Sequence, residues 1–509
     1  MKCTTAGRQC TGYGQLLRWS DDVVNPGNRK LRQPTEGSKV AGKRPRRQIS
    51  RVEPVLPSTQ ISEKQDKSTF WSGSKDISKI QLQLSLPLLD PSVKDFSHTD
   101  RYYLSHFHNR LCQDLVTYDI PSHNPYRNLI SLTRDHAFLL QAVIANSAIH
   151  LSNLHSSPPS LELCSSGGGT AKSITTAADK VSQLRRDAFN AEQKALQALR
   201  EAPQPTRGVE RDVILSTILL FINFELMSSG KNRWKVHVEG ARKIIANFQP
   251  HKESADTETG MLHDYVVADC LIYYVLGSAF SSPKPDSESD KQHLKLIEML
   301  ERGELNSYLS CPAGFLQIIL LASHFSRPVQ NPLHNRSAGD GGFQLQRGLE
   351  LMNKVNSFDL NAWAAGVQGL ALQNDYPSRL HVASAHRSAI CLYINRAVAS
   401  GALLDETGVQ MLVADTIDHL SYIRPGNHLL KSTSWPTFIA GIEARDPKQQ
   451  RWAVEHLSAL WGMLPWGYIH TAVEMLAMTW GLNAADRVNK AVRRESWPKL
   501  LFGKDWIVV

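Results

Sequence analysis

Two cysteines near the start of the chain, Cys3 and Cys10, are the residues best suited to bind a metal ion. Thiolates are preferred ligands of Zn²⁺, and a tetrahedral site needs four ligands, so this pair supplies only part of a site. Gly7 lies between the two cysteines and permits the turn that would bring Cys10 back towards Cys3. The spacing alone is a weak signal, and two unrelated cysteines remain the default interpretation.

The rest of the sequence contains no recognisable catalytic motif. It has neither a Gly-x-Ser-x-Gly nucleophile elbow nor a His-Glu-x-x-His pair. His106 and His108 flank Phe107 in a stretch with helical spacing, but no third ligand follows at a suitable distance. We interpret both histidines as surface or partly buried side chains, and the chain is predicted not to be an enzyme.

Positive charge is concentrated at the N-terminal end of the sequence. Residues 1–53 hold twelve Lys or Arg and four Asp or Glu, so +8 of the net charge of +9 lies in this stretch. A basic arm on a nearly neutral body favours a tail that binds nucleic acid or an import receptor, and a solvated, disordered terminus is the alternative. The residues expected to make these contacts form one compact basic run, Lys43, Arg44, Arg46 and Arg47.

The pattern of apolar residues divides the chain in two. Proline and glycine interrupt any periodicity in residues 14–95, which are predicted to be a basic linker rich in Pro, Gly and Ser. From about residue 96, apolar residues recur every three or four positions, and there is no βαβ alternation. The sequence therefore predicts a large, irregular all-α domain over residues 96–509, preceded by a disordered basic N-terminal segment.

The longest apolar stretches, Val213–Met227 and Tyr265–Phe280, are short for a membrane span and contain polar residues. They are predicted to be buried core helices, and no membrane partner is expected. The seven cysteines form no pattern typical of a secreted disulfide framework, and the N-terminus lacks the apolar segment of a signal peptide. We therefore expect a reducing compartment, the cytosol or the nucleus.

The residues around the two cysteines resemble the end of the zinc binuclear cluster of fungal transcription regulators. In that pattern the last two cysteines are about this far apart, commonly with Gly-Arg before the last one and Gly-Tyr after it. Gly7-Arg8 and Gly12-Tyr13 occupy these places here, and Leu17-Arg18-Trp19 resembles the continuation in regulators of the arginine-metabolism type. The resemblance implies that residues 1–13 are a remnant of a DNA-binding domain and that its cofactor is zinc.

The helical body resembles the fungal-specific transcription factor domain, the all-α regulatory region that follows the cluster in this family. Four stretches carry this resemblance, and their order and spacing agree with it. In chain order they are Asn124–Arg127 leading to Ala142–His150, Asp212–Glu225 followed by Trp234–Ala241, Asp264-Tyr265 with the apolar run after it, and Trp435–Ala444. The last stretch, with its Trp-Pro-x-Phe-x-x-Gly-x-Glu pattern, is the most specific.

Eight residues of these stretches are the regulatory-domain signature in this sequence. Trp435 and Phe438 are three residues apart and would share one helix face, and Gly441 would let a neighbouring helix approach closely. A similar close crossing is expected around Trp234. The signature residues are Trp234, His237, Gly240, Trp435, Pro436, Phe438, Gly441 and Glu443.

The resemblance implies a nuclear regulator of genes transcribed by RNA polymerase II. Its expected partners are DNA, the transcription machinery or co-regulators, and a second copy of the chain in a homodimer. The alternative is a helical scaffold or interaction protein that acts through partners without binding DNA directly.

The sequence as written begins where the fifth cysteine of the cluster pattern would stand, so the first four ligands and the basic helix are absent from it. We expect that this chain does not hold zinc stably, because two thiolates do not complete a site. A misassigned start, with the rest of the cluster encoded upstream, is favoured over a regulator that acts only through partners.

Overall fold

The computed structural model describes residues 93–120, 123–161, 175–202, 208–231, 233–246, 258–280, 290–326, 339–367, 375–398, 403–481 and 504–509. The predicted cluster remnant and almost all of the predicted linker lie outside these ranges.

The all-α prediction for the body is confirmed. The described residues form sixteen α-helices and no β-strand, with isolated bridges between Val116 and Ser307 and between Lys231 and Trp506. The first eight helices are α1 (His98–Asn109), α2 (Leu129–Leu132), α3 (Ala137–Leu154), α4 (Thr175–Glu201), α5 (Gly208–Ser228), α6 (Trp234–Ala246), α7 (Glu258–Ser278) and α8 (Asp290–Gly303). The second eight are α9 (Ala313–Ser323), α10 (Gly339–Ser357), α11 (Leu360–Gly366), α12 (Tyr376–Ala397), α13 (Glu406–Ser421), α14 (Ser434–Glu443), α15 (Pro447–Met463) and α16 (Tyr468–Thr479). Short 3-10 turns cover Leu111–Gln113, Pro125–Asn128, Glu304–Asn306, His324–Ser326 and His428–Thr433.

Aspartates fix the start of several helices. The side chain of Asp359 accepts hydrogen bonds from two backbone N–H groups at the start of α11, and Asp405 accepts one from Gly408 in α13. Asp446 caps α15, where Pro447 stands in the first turn. These contacts satisfy backbone N–H groups that have no partner inside a helix. Proline is tolerated in the first turn because it has no N–H group that would need a partner.

The predicted core helices are buried. Residues of both apolar stretches, in α5 and α7, are almost wholly enclosed by the body. Among the described helices, α3 is the one long and apolar enough to span a membrane by length and composition, and most of it lies inside the body. We interpret α3 as a core helix for this reason.

The helices pack in a continuous series. The alanine-rich helix α4 lies along α3, where the small side chains of Ala188, Ala191 and Ala195 are buried in the contact. From α3 the packing continues through α5, α7, α9, α12 and α14, and α16 contacts both α14 and α5. The last described helix, α16, therefore lies close to the end of α5.

Gly230 ends α5 and shapes this contact. It adopts the left-handed backbone conformation, with φ of +66°, and its N–H donates to the carbonyl of Glu225 at 2.8 Å. A Cβ added to Gly230 would lie 2.7 Å from Cβ of Tyr468 on α16. Glycine is therefore required here both by the backbone conformation and by the space available.

Candidate functional site

The two most informative signature stretches lie on α6 and α14. Trp234, at the start of α6, is buried, and its indole Nε1 donates to the backbone carbonyl of Asp505 at 2.7 Å. Its ring covers Gly277 of α7 so closely that a Cβ there would lie 2.4 Å from two of the ring carbons. Trp234 thus fixes the distance between α6 and α7, in agreement with the close crossing expected around it.

His237 and Gly240 face the interior from the same helix, α6. The His237 ring stacks on Phe221 of α5 with 5.3 Å between ring centroids. Burial, and secondly the charge of Arg233, lower the pKa of His237 to about 3, so its side chain is neutral at physiological pH. This buried, neutral imidazole therefore packs α6 against α5.

Trp435 and Pro436 lie in the first turn of α14, and both are buried. The Trp435 ring lies nearly parallel to His386 of α12, with centroids 6.0 Å apart, and edge-on to Tyr393 at 6.3 Å. Burial lowers the pKa of His386 to about 4, although hydrogen bonds to the carbonyls of Ser432 and Leu309 oppose this shift. Trp435 therefore anchors α14 on α12 through neutral aromatic contacts.

Phe438 and Gly441 make the other contacts of α14. Phe438 meets Phe280, just past the end of α7, in an edge-to-face contact with 5.6 Å between ring centroids. A Cβ on Gly441 would lie 2.9 Å from Cβ of Ala453 on α15 and 3.3 Å from a methyl group of Leu476 on α16. The close helix approach expected at Gly441 is therefore present, and it involves two helices at once.

Glu443, the last residue of α14, forms an ion pair that the sequence pattern does not reveal. Its two carboxylate oxygens accept hydrogen bonds from Nε and Nη2 of Arg396 at 2.6 and 2.5 Å. The Glu443 side chain is 3 % exposed and that of Arg396 is 33 % exposed, so the pair lies at the border of the core. The contact fastens the end of α14 to the last turn of α12.

Residues 504–509, named here the 504–509 segment, connect the two signature stretches. Trp234 binds the Asp505 carbonyl, and Oγ of Ser434, the first residue of α14, donates to the carbonyl of Val509. Ile507, between them, donates its N–H to the carbonyl of Gly230 at 3.0 Å. The Ile-Val-Val run of this segment is the one sequence signal that could have indicated its burial.

A buried polar network around Asp114 is a second feature that sequence reasoning missed. Its carboxylate accepts from Arg110 at 2.6 Å, from Nε2 of His150 at 3.1 Å and from the Trp466 indole at 3.0 Å. Burial raises the pKa of Asp114, but the His150 hydrogen bond and the charges of Arg110 and Lys431 outweigh it and bring the pKa to about 2. The carboxylate is therefore ionised at physiological pH.

Lys431 supplies a further buried charge close to this carboxylate. Its ammonium group donates to the backbone carbonyls of Gln113 and Val116 at 2.6 and 2.5 Å. Burial lowers the pKa of Lys431 to about 8, while the charge of Asp114 opposes the shift. The network thus neutralises buried charges and binds the 3-10 turn at 428–433 to the start of the body.

His106, considered above as a metal ligand, takes part in this network. Its Nε2 lies 2.9 Å from Nδ1 of His150, and burial, with the neighbouring His150, lowers the pKa of His106 to about 3. No group of three or more His, Cys, Asp or Glu side chains that could hold a metal occurs among the described residues. The contact between the two imidazoles is structural.

Asp269 of α7 is buried against aromatic residues. It accepts a short hydrogen bond from the hydroxyl of Tyr126, in the stretch that resembles the first family signature. Burial raises the pKa of Asp269 to about 7, although the Tyr126 hydrogen bond works in the opposite direction. This carboxyl group therefore changes charge near physiological pH.

The remaining candidate residues lie outside the described part of the chain. They are the proposed metal ligands Cys3 and Cys10 and the basic residues Lys43, Arg44, Arg46 and Arg47. The cysteines that the structure does describe are buried, and burial raises the pKa of the thiol in each case, as at Cys112 and Cys270. Protonated, buried thiols of this kind are poor nucleophiles and poor metal ligands.

Comparison with known proteins gives a clear relationship. A family model described as the fungal specific transcription factor domain matches residues 102–509. The acriflavine sensitivity control protein acr-2 of Neurospora crassa is 34 % identical over 410 residues, which cover 78 % of this chain and 65 % of that protein. The chain thus spans just under two thirds of the length of this curated relative. No solved structure matches the chain significantly.

Proposed function

Because the chain belongs to the family of the fungal specific transcription factor domain, it is a fungal transcription regulator, and we propose that it controls genes transcribed by RNA polymerase II in the nucleus. The observation that carries this proposal is the extent of the match, which covers almost the whole all-α body. The described signature side chains are used to pack helices against one another. Such a body suits the role of positioning surfaces for co-regulators or the transcription machinery.

A reporter assay tests the regulatory function. The full chain, fused to a heterologous DNA-binding domain, should raise or lower the output of a reporter that carries the matching sites. The DNA-binding domain alone is the control. Unchanged output, with the fusion present in the nucleus, would favour the alternative of a helical scaffold that acts through partners without direct DNA binding.

Two glycine variants make this assay specific to the body. Gly441→Val places a branched side chain where even a Cβ would lie 2.9 Å from Ala453, so the effect on the reporter should be lost. Gly462→Ala on α15 has no atom within 4 Å of the new Cβ, so the effect should remain.

We further propose that Cys3 and Cys10 are ligands of zinc only as part of an intact cluster of the binuclear type, in which zinc would support DNA binding by a homodimer. Support comes from the residue pattern around the cysteines alone. A reading frame upstream of Met1 that encodes the remaining cysteines of the pattern would strengthen this proposal, and its absence would count against it. The chain as written should hold no zinc tightly, and stoichiometric zinc by atomic absorption would contradict that expectation.

The basic run from Lys43 to Arg47 is proposed to contact DNA or an import receptor. Replacing Lys43, Arg44, Arg46 and Arg47 together by alanine should then reduce nuclear accumulation of a fluorescent fusion or weaken DNA binding in a salt-dependent way. Unchanged localisation and unchanged DNA binding would indicate an inert stretch of chain.

The name of the relative suggests a process for this chain. We propose that it takes part in controlling sensitivity to acriflavine, as the relative's name states for that protein. A deletion strain should change its growth on acriflavine, while growth on arginine as nitrogen source tests the arginine-regulator likeness of Leu17-Arg18-Trp19. A change in growth on arginine alone would favour arginine metabolism as the regulated process.

A further inference from the structure

The 504–509 segment is deeply buried although it belongs to no helix. Ile507, Val508 and Val509 are 0 to 2 % exposed, a degree of burial otherwise found in the centre of the body. Residues 482–503 separate the segment from the described end of α16 and its following turn. The chain therefore returns to its own core with a short run of apolar residues.

Backbone groups of the segment are held by the walls of a groove. The Trp234 indole donates to the Asp505 carbonyl at 2.7 Å, Ile507 donates to the Gly230 carbonyl at 3.0 Å, and Ser434 donates to the Val509 carbonyl. Main-chain hydrogen bonds combined with side-chain pockets are the usual means by which proteins bind extended peptides.

Side chains of the groove also select the residues of the segment. The Lys235 ammonium pairs with Asp505 at 3.1 Å, and Lys231 lies over the Trp506 ring at 4.5 Å from its centroid. Cδ1 of Ile507 reaches Gly277, where an added Cβ would lie 3.4 Å from it. The groove thus fits an acidic residue, then an aromatic residue, then a large aliphatic residue.

The walls of the groove are fixed by contacts that do not involve the segment. The turn at Gly230 is closed by its hydrogen bond to Glu225, and Gly467 donates to Met227 at 3.0 Å. The hydroxyl of Tyr468 donates to Ser434 at 3.2 Å on the opposite wall. The free energy from three buried aliphatic side chains is comparable with the entropy lost in ordering six residues. Docking of the segment therefore depends on its main-chain hydrogen bonds and on the pair between Lys235 and Asp505.

We propose that this groove is a peptide-binding site and that Lys504–Val509 is an exchangeable ligand which the chain itself supplies. The site takes a short peptide with an acidic residue, an aromatic residue and β-branched aliphatic residues in that order. Because Trp234 and Ser434 hold opposite ends of the segment, its release removes one link between the α6 and α14 signature stretches, while their contacts with the end of α7 remain. The inference does not depend on the proposed regulatory function, and its tests measure peptide binding and release directly.

Hydrogen exchange on the full, unmodified chain tests whether the segment is released. The Ile507 amide should exchange by local opening, at least tenfold faster than amides in α5 and α7, and with little dependence on low denaturant concentrations. Exchange of Ile507 at the same rate and with the same denaturant dependence as the core amides would overturn the proposal, because the segment would then open only with the whole body.

Peptide binding to full-length variants tests the groove. Ile507→Asp should expel the attached segment, because a carboxylate would otherwise enter an apolar pocket. A labelled Lys-Asp-Trp-Ile-Val-Val peptide should then bind at least tenfold more tightly to this variant than to the wild-type chain, where the attached segment competes. The same peptide with Trp replaced by Ala should bind at least tenfold more weakly.

Two further variants keep the test decisive if Ile507→Asp does not fold. Trp506→Ala removes a half-buried ring that rests under two lysines, so it should open the groove with little effect on the body. Adding Ser434→Ala to it should weaken binding of the labelled peptide, because the donor to the last carbonyl is lost. A peptide with the same six residues in scrambled order is the control. A folded variant that binds no peptide, or that binds the scrambled peptide equally well, would overturn the proposal.

Discussion

At the residue scale, Asp269 is a buried group whose charge changes near physiological pH. Its folded pKa of about 7 lies above the value of an exposed aspartate, since burial disfavours the carboxylate. The folded state therefore binds this proton more tightly than the unfolded state does. Between about pH 4 and pH 7 the unfolded chain releases the proton while the folded chain keeps it, so stability falls as pH rises through this window.

Asp269→Asn should remove this pH dependence, because the amide oxygen still accepts from Tyr126 and carries no charge. The free energy of unfolding of the variant relative to the wild type should increase between pH 4 and pH 7, as measured by denaturant unfolding at each pH. Asp418→Asn, at an exposed position on α13, is the control and should follow the wild-type profile. Parallel profiles for all three proteins would show that Asp269 does not keep its proton in the folded state.

The effect of replacing a glycine is also decided at the residue scale, by the atoms that surround its Cα. Gly277→Ala should destabilise the protein by about 1–3 kcal/mol, because the new methyl group would meet the buried Trp234 ring at 2.4 Å. Gly462→Ala, also in a helix but without neighbours within 4 Å, should be neutral or stabilise by up to about 1 kcal/mol. Thermal unfolding of both variants measures these differences in stability, and equal melting temperatures would contradict the predicted clash with Trp234.

At the element scale, the ion pair between Arg396 and Glu443 holds α12 and α14 together. The two partners are unequally exposed, because Glu443 is almost fully buried and a third of Arg396 reaches solvent. Removing the arginine therefore leaves a buried carboxylate without its guanidinium, whereas removing the glutamate leaves a cation that solvent can reach. The two single variants are therefore expected to differ in how much stability they lose.

Arg396→Met should cost about 3–5 kcal/mol of stability, and Glu443→Gln should cost clearly less. The double variant should be more stable than Arg396→Met alone, because the buried side chain that has lost its guanidinium partner is then uncharged. Denaturant unfolding in a double-mutant cycle measures all three differences. Equal costs for the two single variants would contradict the role assigned to burial.

The helices of the body could largely be predicted from sequence, because their apolar residues repeat at helical spacing. α5 and α7 are predicted well because nearly every position is apolar and buried. α11 was not predicted, since it is only seven residues long and buries just Leu360 and Ala364, too few to give a period. The exact ends of helices, such as Ala397 in α12, could not be predicted, because local periodicity does not define where tertiary packing stops.

At the scale of the whole molecule, the contacts that sequence reasoning missed join residues far apart in the chain. The Trp234 indole meets Asp505, and Asp114 meets Trp466, in contacts that no local pattern encodes. Residue type could indicate that Trp435 and Phe438 are core residues. It could not indicate that the Glu443 carboxylate pairs with Arg396, since that depends on how α12 and α14 cross.

The Asp114 network shows how such contacts unify the body, since it joins α1, α3, the 3-10 turn at 428–433 and the loop before α16. Residues Asp90–Val509 belong to one compact unit, and this network lies between its early and late helices. Its central carboxylate has a pKa of about 2, below that of an exposed aspartate. The stabilisation is therefore fully present above about pH 4 and is lost as the pH falls through the folded value.

Asp114→Asn should cost about 3–5 kcal/mol near neutral pH, because Lys431 and Arg110 would keep their charges with the carboxylate gone. The difference from the wild type should shrink as the pH falls from 5 towards 2, since the wild-type carboxylate is then protonated as well. Denaturant unfolding across this range measures the effect, and Asp418→Asn serves again as the exposed control. A difference that stays constant down to pH 2 would contradict the central position given to Asp114.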